Sequence, residues 1–581
     1  MIMSSKPSAH SGNPSPTRLV LLKASARILK RWANLLTPHY GPTGSLDLDL
    51  LLYPDAEGPS QLNQFAHYAL LLLSEKMVDC GASPADRETW RNLALRNLQY
   101  ILSITGDDFK QPLYSRGREW ERVHGEWMIF FLQRSLRIVD ERRLGTKSFR
   151  AHLARVVDGA AHAAFKEFHE RYEPFIGGGE RERGFPGNHA AWFGALFYEL
   201  GRFQNNLEWT RFSERFFKRL VLPWQREDGL WSECGGMVAI YSMVTAQAVS
   251  VYADASGDGD AMTAVGRFLA GYKRITFPDF SVSCVADSRA PYSEEPFYGL
   301  PIGFPSFQGG GEFCLGTILA GERRLRRVPM RDNQAQITAF FAVFAASLLP
   351  DRTLRIRSAP PGVSTEIARV ESPYWQGLLS VQINREIRGR WALDTQNFID
   401  LWSPCSGLIA GGGSSKYSPL FSSLREIGGS RGYIPTRARI LKNSARFTEA
   451  EYLIGSSLVR VELQLRGKRT SISWRRVTRR KIDVPLEAAI ILVLRKGDIL
   501  RTNDGQVFHV DPDNLMEFEF SEGCSKVMVR GVCITPPAGA FLRYPIQIWN
   551  SYTQNSLGGP VRARLSWPVS NRETTLHLQV E

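Results

Sequence analysis

Histidine and cysteine are scarce in this chain of 581 residues, which holds ten of the first and seven of the second, with no C-x-x-C pair. The cysteines (Cys80, Cys234, Cys284, Cys314, Cys405, Cys524 and Cys533) are odd in number and lack histidine neighbours. That argues against both a disulfide framework and a zinc site, so no metal and no cofactor is expected. Apolar runs fall short of the length that spans a bilayer, and Met1 to Thr17 is Ser- and Pro-rich without the apolar stretch of a secretory signal. At face value the chain is cytoplasmic and has no integral membrane segment. Phosphate-loop, dinucleotide-fold, H-E-x-x-H and G-x-S-x-G patterns are missing too. The glycine clusters at 177–179, 309–311 and 411–413 lack phosphate-loop context and read as turns.

Positive charge is in excess. Lys and Arg number 72 against 58 Asp and Glu, a net +14, which calls for an anionic partner without choosing between sugar, nucleic acid and membrane surface. No nucleic-acid-binding module is recognisable. The length implies more than one core, and 43% hydrophobic residues supply the material to fill them.

The richest stretch runs from Gly184 to Tyr241. Gly-Phe-Pro-Gly-Asn-His (184–189) leads into an apolar period of Phe193, Leu196, Phe197, Leu200 and Phe203, then a second of Trp209, Phe212, Phe216 and Leu220. After the turn Arg-Glu-Asp-Gly-Leu-Trp-Ser-Glu-Cys-Gly-Gly (226–236), a third helix carries Tyr241 in its first turn. Asn188 and His189 thus open one helix and a phenol opens another. Helices that start after glycine loops offer free N–H groups and a positive dipole end to an anion, and that end favours the neutral, proton-accepting imidazole. Plainer readings stand beside this one: Asn188 as an N-cap, His189 as an interface histidine, Tyr241 as a wetted core aromatic.

Taken in order, the chain has a disordered start (1–17) and then helical periods near 19–36, 59–77, 88–104, 120–139, 148–170, 188–203, 207–222, 237–254, 260–273, 311–322 and 331–349, with no credible strand among them. The first is basic and amphipathic. The set predicts an α/α toroid of antiparallel hairpins over 18–350. The long connection 274–310 reads as a cleft-lining loop or a linker; Tyr298 and its neighbouring aromatics would offer a sugar platform. Near Pro350 the period changes to two, and 378–383, 458–465, 489–494 and 576–580 mark an antiparallel β-sandwich over 351–581. The basic run Trp474 to Lys481 reads more simply as a solvated strand face than as a groove for nucleic acid or polysaccharide.

The Asn188-His189 and Tyr241 helix starts, the Gly-Leu-Trp-Ser-Glu turn (229–233) and the toroid-then-β order resemble the heparinase II/III-like polysaccharide lyases and their alginate-lyase relatives. The resemblance implies β-elimination on a uronate-containing anionic polysaccharide. Asn188 would neutralise the carboxylate, His189 would neutralise it or act as base, and Tyr241 would be acid or base. His124, Glu126, Glu233 and Tyr298 are candidates for binding substrate, and His67 is assigned to structure. One departure matters. These lyases carry a further histidine early in the β-domain, yet this sequence has none between His189 and His509, and the corresponding stretch is Trp391 to Gly413. Either Gln396, Asn397 or an arginine replaces that group, or elimination is lost.

Two alternatives remain from the sequence. A toroidal glycoside hydrolase would need paired carboxylates, with Glu126, Glu233 and Glu312 available. A catalytically silent glycan-binding protein would keep the cleft and the basic charge.

Overall fold

The computed structural model describes residues 18–46, 61–77, 81–115, 118–176, 187–233, 236–288, 310–327, 366–383, 393–411, 414–428, 432–478, 484–521, 525–548 and 561–581. Its first half is helical and its second half consists of antiparallel β-sheets. The expected boundary near 350 and the helix expected over 331–349 lie outside the described residues.

Among the described residues there are ten α-helices: α1 (Arg18–Leu36), α2 (Ala66–Leu71), α3 (Pro84–Ile104), α4 (Glu126–Glu141), α5 (Lys147–Ile176), α6 (Asn188–Gln204), α7 (Leu207–Phe216), α8 (Ala239–Ser256), α9 (Gly259–Arg274) and α10 (Gly310–Arg327). They form two rows. In the inner row α2, α4, α6 and α8 pack on one another in turn, while α3, α5, α7 and α9 each pack against the inner helix that precedes them. The first and last helices also pack together: α1 lies on α10, with Arg27 reaching Glu322.

Side-chain pairings give the directions. Between α4 and α6, Glu126 meets His189, Phe130 meets Trp192 and Arg134 meets Glu199, so these helices run parallel. Trp192 donates to Val244 O at 3.0 Å and Arg202 to Ala255 O at 3.1 Å, so α6 and α8 are parallel too, in a register of about fifty-three residues. The outer helices run the other way. Asp158 meets Gln204, Phe165 meets Phe197 and Phe168 meets Phe193 along α5 and α6, in an aromatic seam that also takes in Trp209, Phe212 and Phe216 of α7.

The expectation of no strand in this half is corrected by a hairpin of β1 (Gln111–Ser115) and β2 (Arg118–Val123) and a minimal one of β3 (Ser232–Glu233) and β4 (Gly236–Met237). The helix expected at 120–139 accordingly starts only at Glu126. Pro112 and Gly117 break any helical period, and strands two residues long carry no period to read.

Among the described residues the β half contains two antiparallel sheets of nine strands each, with a large apolar core including Trp375, Tyr452, Trp474 and Trp567. Trp474 is wholly buried while Arg475 beside it is exposed, so the described start of the basic run ends a strand (Arg469–Arg476) with its tryptophan inward, and Arg479 to Lys481 lie outside the described residues. Ile367, Leu378, Trp402, Leu408 and Val493 belong to the helical core instead, and they join the two halves.

Two charges staple this junction, Arg369 partly buried and Asp400 fully so. Arg369 Nη1 donates to Lys273 O (3.2 Å), Arg274 O (2.7 Å) and Thr276 O (2.8 Å), which places a cation on the carbonyls at and just past the C-terminus of α9. Asp400 Oδ2 accepts from Ser283 Oγ (2.7 Å), Cys284 N (2.7 Å) and Val285 N (3.2 Å). Gly411, at φ +124°, leaves room for that carboxylate, since a Cβ there would sit 1.9 Å from Asp400 Oδ1. Replacing Asp400 by Ala strands these donors in the interior and is expected to cost about 3 kcal/mol or more. Urea unfolding of the full chain measures it, and an unchanged midpoint would remove Asp400 from this role.

Candidate active site

The parallel inner row brings the starts of α4, α6 and α8 to one end of the ring. Asn188 and His189 open α6, and Tyr241 stands in the first turn of α8 at the same register. Glu126 is the first residue of α4. None of these helices has a side-chain cap, their cap positions being Gly125, Gly187 and Val238, and α2 starts uncapped at Phe65. The outer helices differ. Ser83 caps α3, Thr146 bonds Phe149 N in α5, Asn206 caps α7 and Asp258 caps α9. Open N–H groups and positive dipole ends therefore gather on the side where the inner helices begin.

His189 Nδ1 lies 2.5 Å from Glu126 Oε1. A carboxylate only accepts, so Nδ1 carries the hydrogen and Nε2 becomes the ring nitrogen able to accept one. The imidazole is 61% exposed while the carboxylate is 9% exposed, an exposed base backed by a buried anion. Trp127 packs beside the ring at 5.1 Å between centroids. The sequence offered His189 and Glu126 separately; the shared signal was a glycine directly before each helix start, Gly125 and Gly187.

Asn188 is buried, and its Oδ1 has no hydrogen-bond partner among the described residues. It is not the cap of α6. That position belongs to Gly187, at φ +92°, where a Cβ would come within 3.8 Å of Glu233 Oε1, so Glu233 stands beside the same helix start. Tyr241 is half-buried against the helical core, and the N–H of Ile240 beside it is held by Asp287 Oδ2 at 3.4 Å.

Other candidates are placed elsewhere. His124 is buried, with Nε2 2.9 Å from Asp108 O and Nδ1 3.3 Å from Glu167 of the outer helix α5, so its ring faces away from the inner row. Gln396 and Asn397 lie inside the β half. Gln396 spends its amide on Ser418 O and Ser415 N, and Asn397 Oδ1 accepts from Ser423 Oγ. His67 is fully buried, bonds Ser135 at 2.8 Å and is pushed down to about 3 by burial. Glu312 opens α10, and its charge acts on Lys273, whose ammonium burial lowers. Tyr298 lies outside the described residues. No cluster of three or more potential ligands for a metal ion occurs among the described residues, and no described helix is long and apolar enough to cross a membrane.

Comparison of the sequence with protein-family models and with curated proteins finds no match. Solved structures similar to this one include polysaccharide lyases. Among them are the chondroitin AC lyase of Streptomyces coelicolor A3 (11% identity, TM-score 0.46, 100% of this chain and 80% of that one) and the xanthan lyase of Paenibacillus (9%, 0.46, 97% and 58%). An α-1,6-mannanase of Salegentibacter is similar over part of the chain (12%, TM-score 0.33, 57% of this chain and 100% of that one).

The Glu126–His189 pair has a direct spectroscopic signature. In protein labelled with ¹⁵N-histidine, neutral His189 should be in the Nδ1–H form, and Glu126→Ala should shift it toward the Nε2–H form favoured in solution. An identical tautomer in the variant would show that Glu126 does not set it.

Proposed function

We propose that this chain is a polysaccharide lyase that cleaves a uronate-containing glycan by β-elimination, with its centre at Asn188, His189 and Tyr241. One observation carries the reading: the inner helices run parallel, so an amide, a carboxylate-backed imidazole and a phenol share the end where uncapped helix starts gather.

Removing the proton at C5 of a uronate is difficult because a dianion develops on its carboxyl group. Asn188 and the open N–H groups at the start of α6 would bind that charge. His189 Nε2 takes the C5 proton, and Glu126 stabilises the imidazolium that forms. As the C5–H electron pair becomes the C4=C5 double bond, the C4–O4 bond breaks and the Tyr241 hydroxyl protonates the departing oxygen. Reprotonation of Tyr241 from water and release of the histidine proton close the cycle. The net +14 charge suits an acidic polymer.

Elimination fits these residues better than hydrolysis does. Paired-carboxylate hydrolysis needs one acid and one base across a gap, and Glu126 is already bonded to His189. The histidine expected from the β-domain has no counterpart at Gln396 or Asn397, which are buried, with the Gln396 amide and the Asn397 carbonyl bonded internally. In this reading the Glu126–His189 pair performs the proton abstraction without it.

Incubation with a panel of polymers containing glucuronate, iduronate, mannuronate or guluronate should give a product absorbing in the ultraviolet, from its conjugated alkene. Asn188→Ala should slow turnover by ~10²- to 10³-fold, as loss of one donor to a developing oxyanion does. Tyr241→Phe should abolish turnover with the melting temperature nearly unchanged, since only the hydroxyl is removed. Chain shortening without the chromophore would favour the hydrolase; binding without cleavage would favour the silent scaffold.

A further inference from the structure

Beyond the residues that would handle protons, the β half presents an aromatic ring with unusual support. Tyr417 is 78% exposed, the most exposed large hydrophobic residue among those described. Its backbone has φ +58°, in the left-handed region that costs a bulky residue about 1 kcal/mol or more. An exposed ring held at that cost by surrounding structure has been placed there.

The support is specific. The N–H of Tyr417 is held at 2.9 Å by Asp394 Oδ2, a carboxylate 2% exposed. On either side of it, Gln396 accepts from Ser415 N and donates to Ser418 O at 2.8 Å, so one buried amide pins the segment before and after the tyrosine. Lys416, itself buried, places its ammonium 5.6 Å from the Tyr417 ring centroid, within the range of a cation–π contact. Gln396 thus helps to build the mount of an exposed ring.

The mount adjoins the candidate site. Leu393, next to Asp394, donates its N–H to Ser288 O at 2.7 Å, and Ser288 donates through both N and Oγ to Met237 O at 2.8 Å. Met237 ends β4, two residues before α8 begins and four before Tyr241. A continuous run of hydrogen-bonded backbone therefore leads from the start of α8 to the mount of Tyr417.

We propose that Tyr417 is a sugar-binding platform on the β side of the site, on which one ring of the acidic polysaccharide stacks beyond the residues that are cleaved. The C–H face of a pyranose is apolar with positive edges and matches the negative face of the phenol ring. Lys416 holds that ring from beneath the surface. The inference rests on the proposed glycan substrate, but it concerns binding and not the proton transfers.

The test uses the full chain in affinity electrophoresis through gels containing chondroitin, heparan sulfate, polymannuronate or polyguluronate, with ultraviolet detection of cleavage run in parallel. Tyr417→Asn and Tyr417→Gly remove the ring while tolerating the left-handed backbone; Tyr417→Phe keeps it. For the polymer that retards the wild type most, both ring-less variants should bind about tenfold more weakly, the size of one aromatic contact, and Tyr417→Phe should match the wild type. On cleavage the change should appear in KM, with kcat unchanged. Wild-type binding and cleavage with no effect of removing the ring would overturn the platform and leave the lyase standing. Binding that depends on the ring, without cleavage of any polymer, would support the platform and overturn the lyase. No retardation of the wild type by any acidic polymer would overturn both.

Discussion

Helices packed side by side in parallel have their dipoles aligned, an arrangement that electrostatics opposes and that antiparallel neighbours relieve. Here the relief comes from the outer row, since α5 and α7 run opposite to α6 and α3 runs opposite to α2. The inner row can then keep all its amino ends on one side. The chemistry available on that side depends on this arrangement, because it places Glu126, Asn188, His189 and Tyr241 at matching heights although they are far apart in sequence.

The β half contributes through its anchorage. Arg369 sits on the carboxyl end of α9, and Asp400 gathers the donors of Ser283, Cys284 and Val285, so the sheets are tied to backbone just past α9. Both are charges opposed to local dipoles or donors, and Asp400 is fully buried, where such pairing is strong and its loss costly. The segment 281–288 passes this connection on to Met237 and to the first turn of α8.

The sequence made the architecture legible because its two halves carry different periods over long stretches. Helix starts such as Asn188 and Leu207 fell where the residues placed them, and strands including Ser457–Arg466 and Thr574–Val580 matched their alternating patterns. What escaped was short or long-range. The hairpin at Gln111–Val123 escaped because its strands are short and its last residues, 120–123, run on into the period of the helix that follows. The Glu126–His189 bond joins residues 63 apart, and nothing local announces a partner across two helices. Gln396 and Asn397 drew notice as polar residues in the right stretch; their burial comes with the serines of a loop about twenty residues on, Ser415, Ser418 and Ser423, which take up their amides. Tyr417 carried no signal at all, because its exposure and its left-handed backbone arise from tertiary support.

The uneven capping also has a consequence for how the molecule breathes. A helix end held by a side chain opens less readily than one whose first N–H groups are left open, and α3, α5, α7 and α9 are held at their caps while α2, α4 and α6 are not, α8 being held only through Asp287 at Ile240. Amide protons in the first turns of the inner row should exchange with solvent sooner than those in the first turns of the outer row. The scaffold would then be stiff at one end of the ring and loose at the other, with its softness concentrated at the end that carries Asn188, His189 and Tyr241.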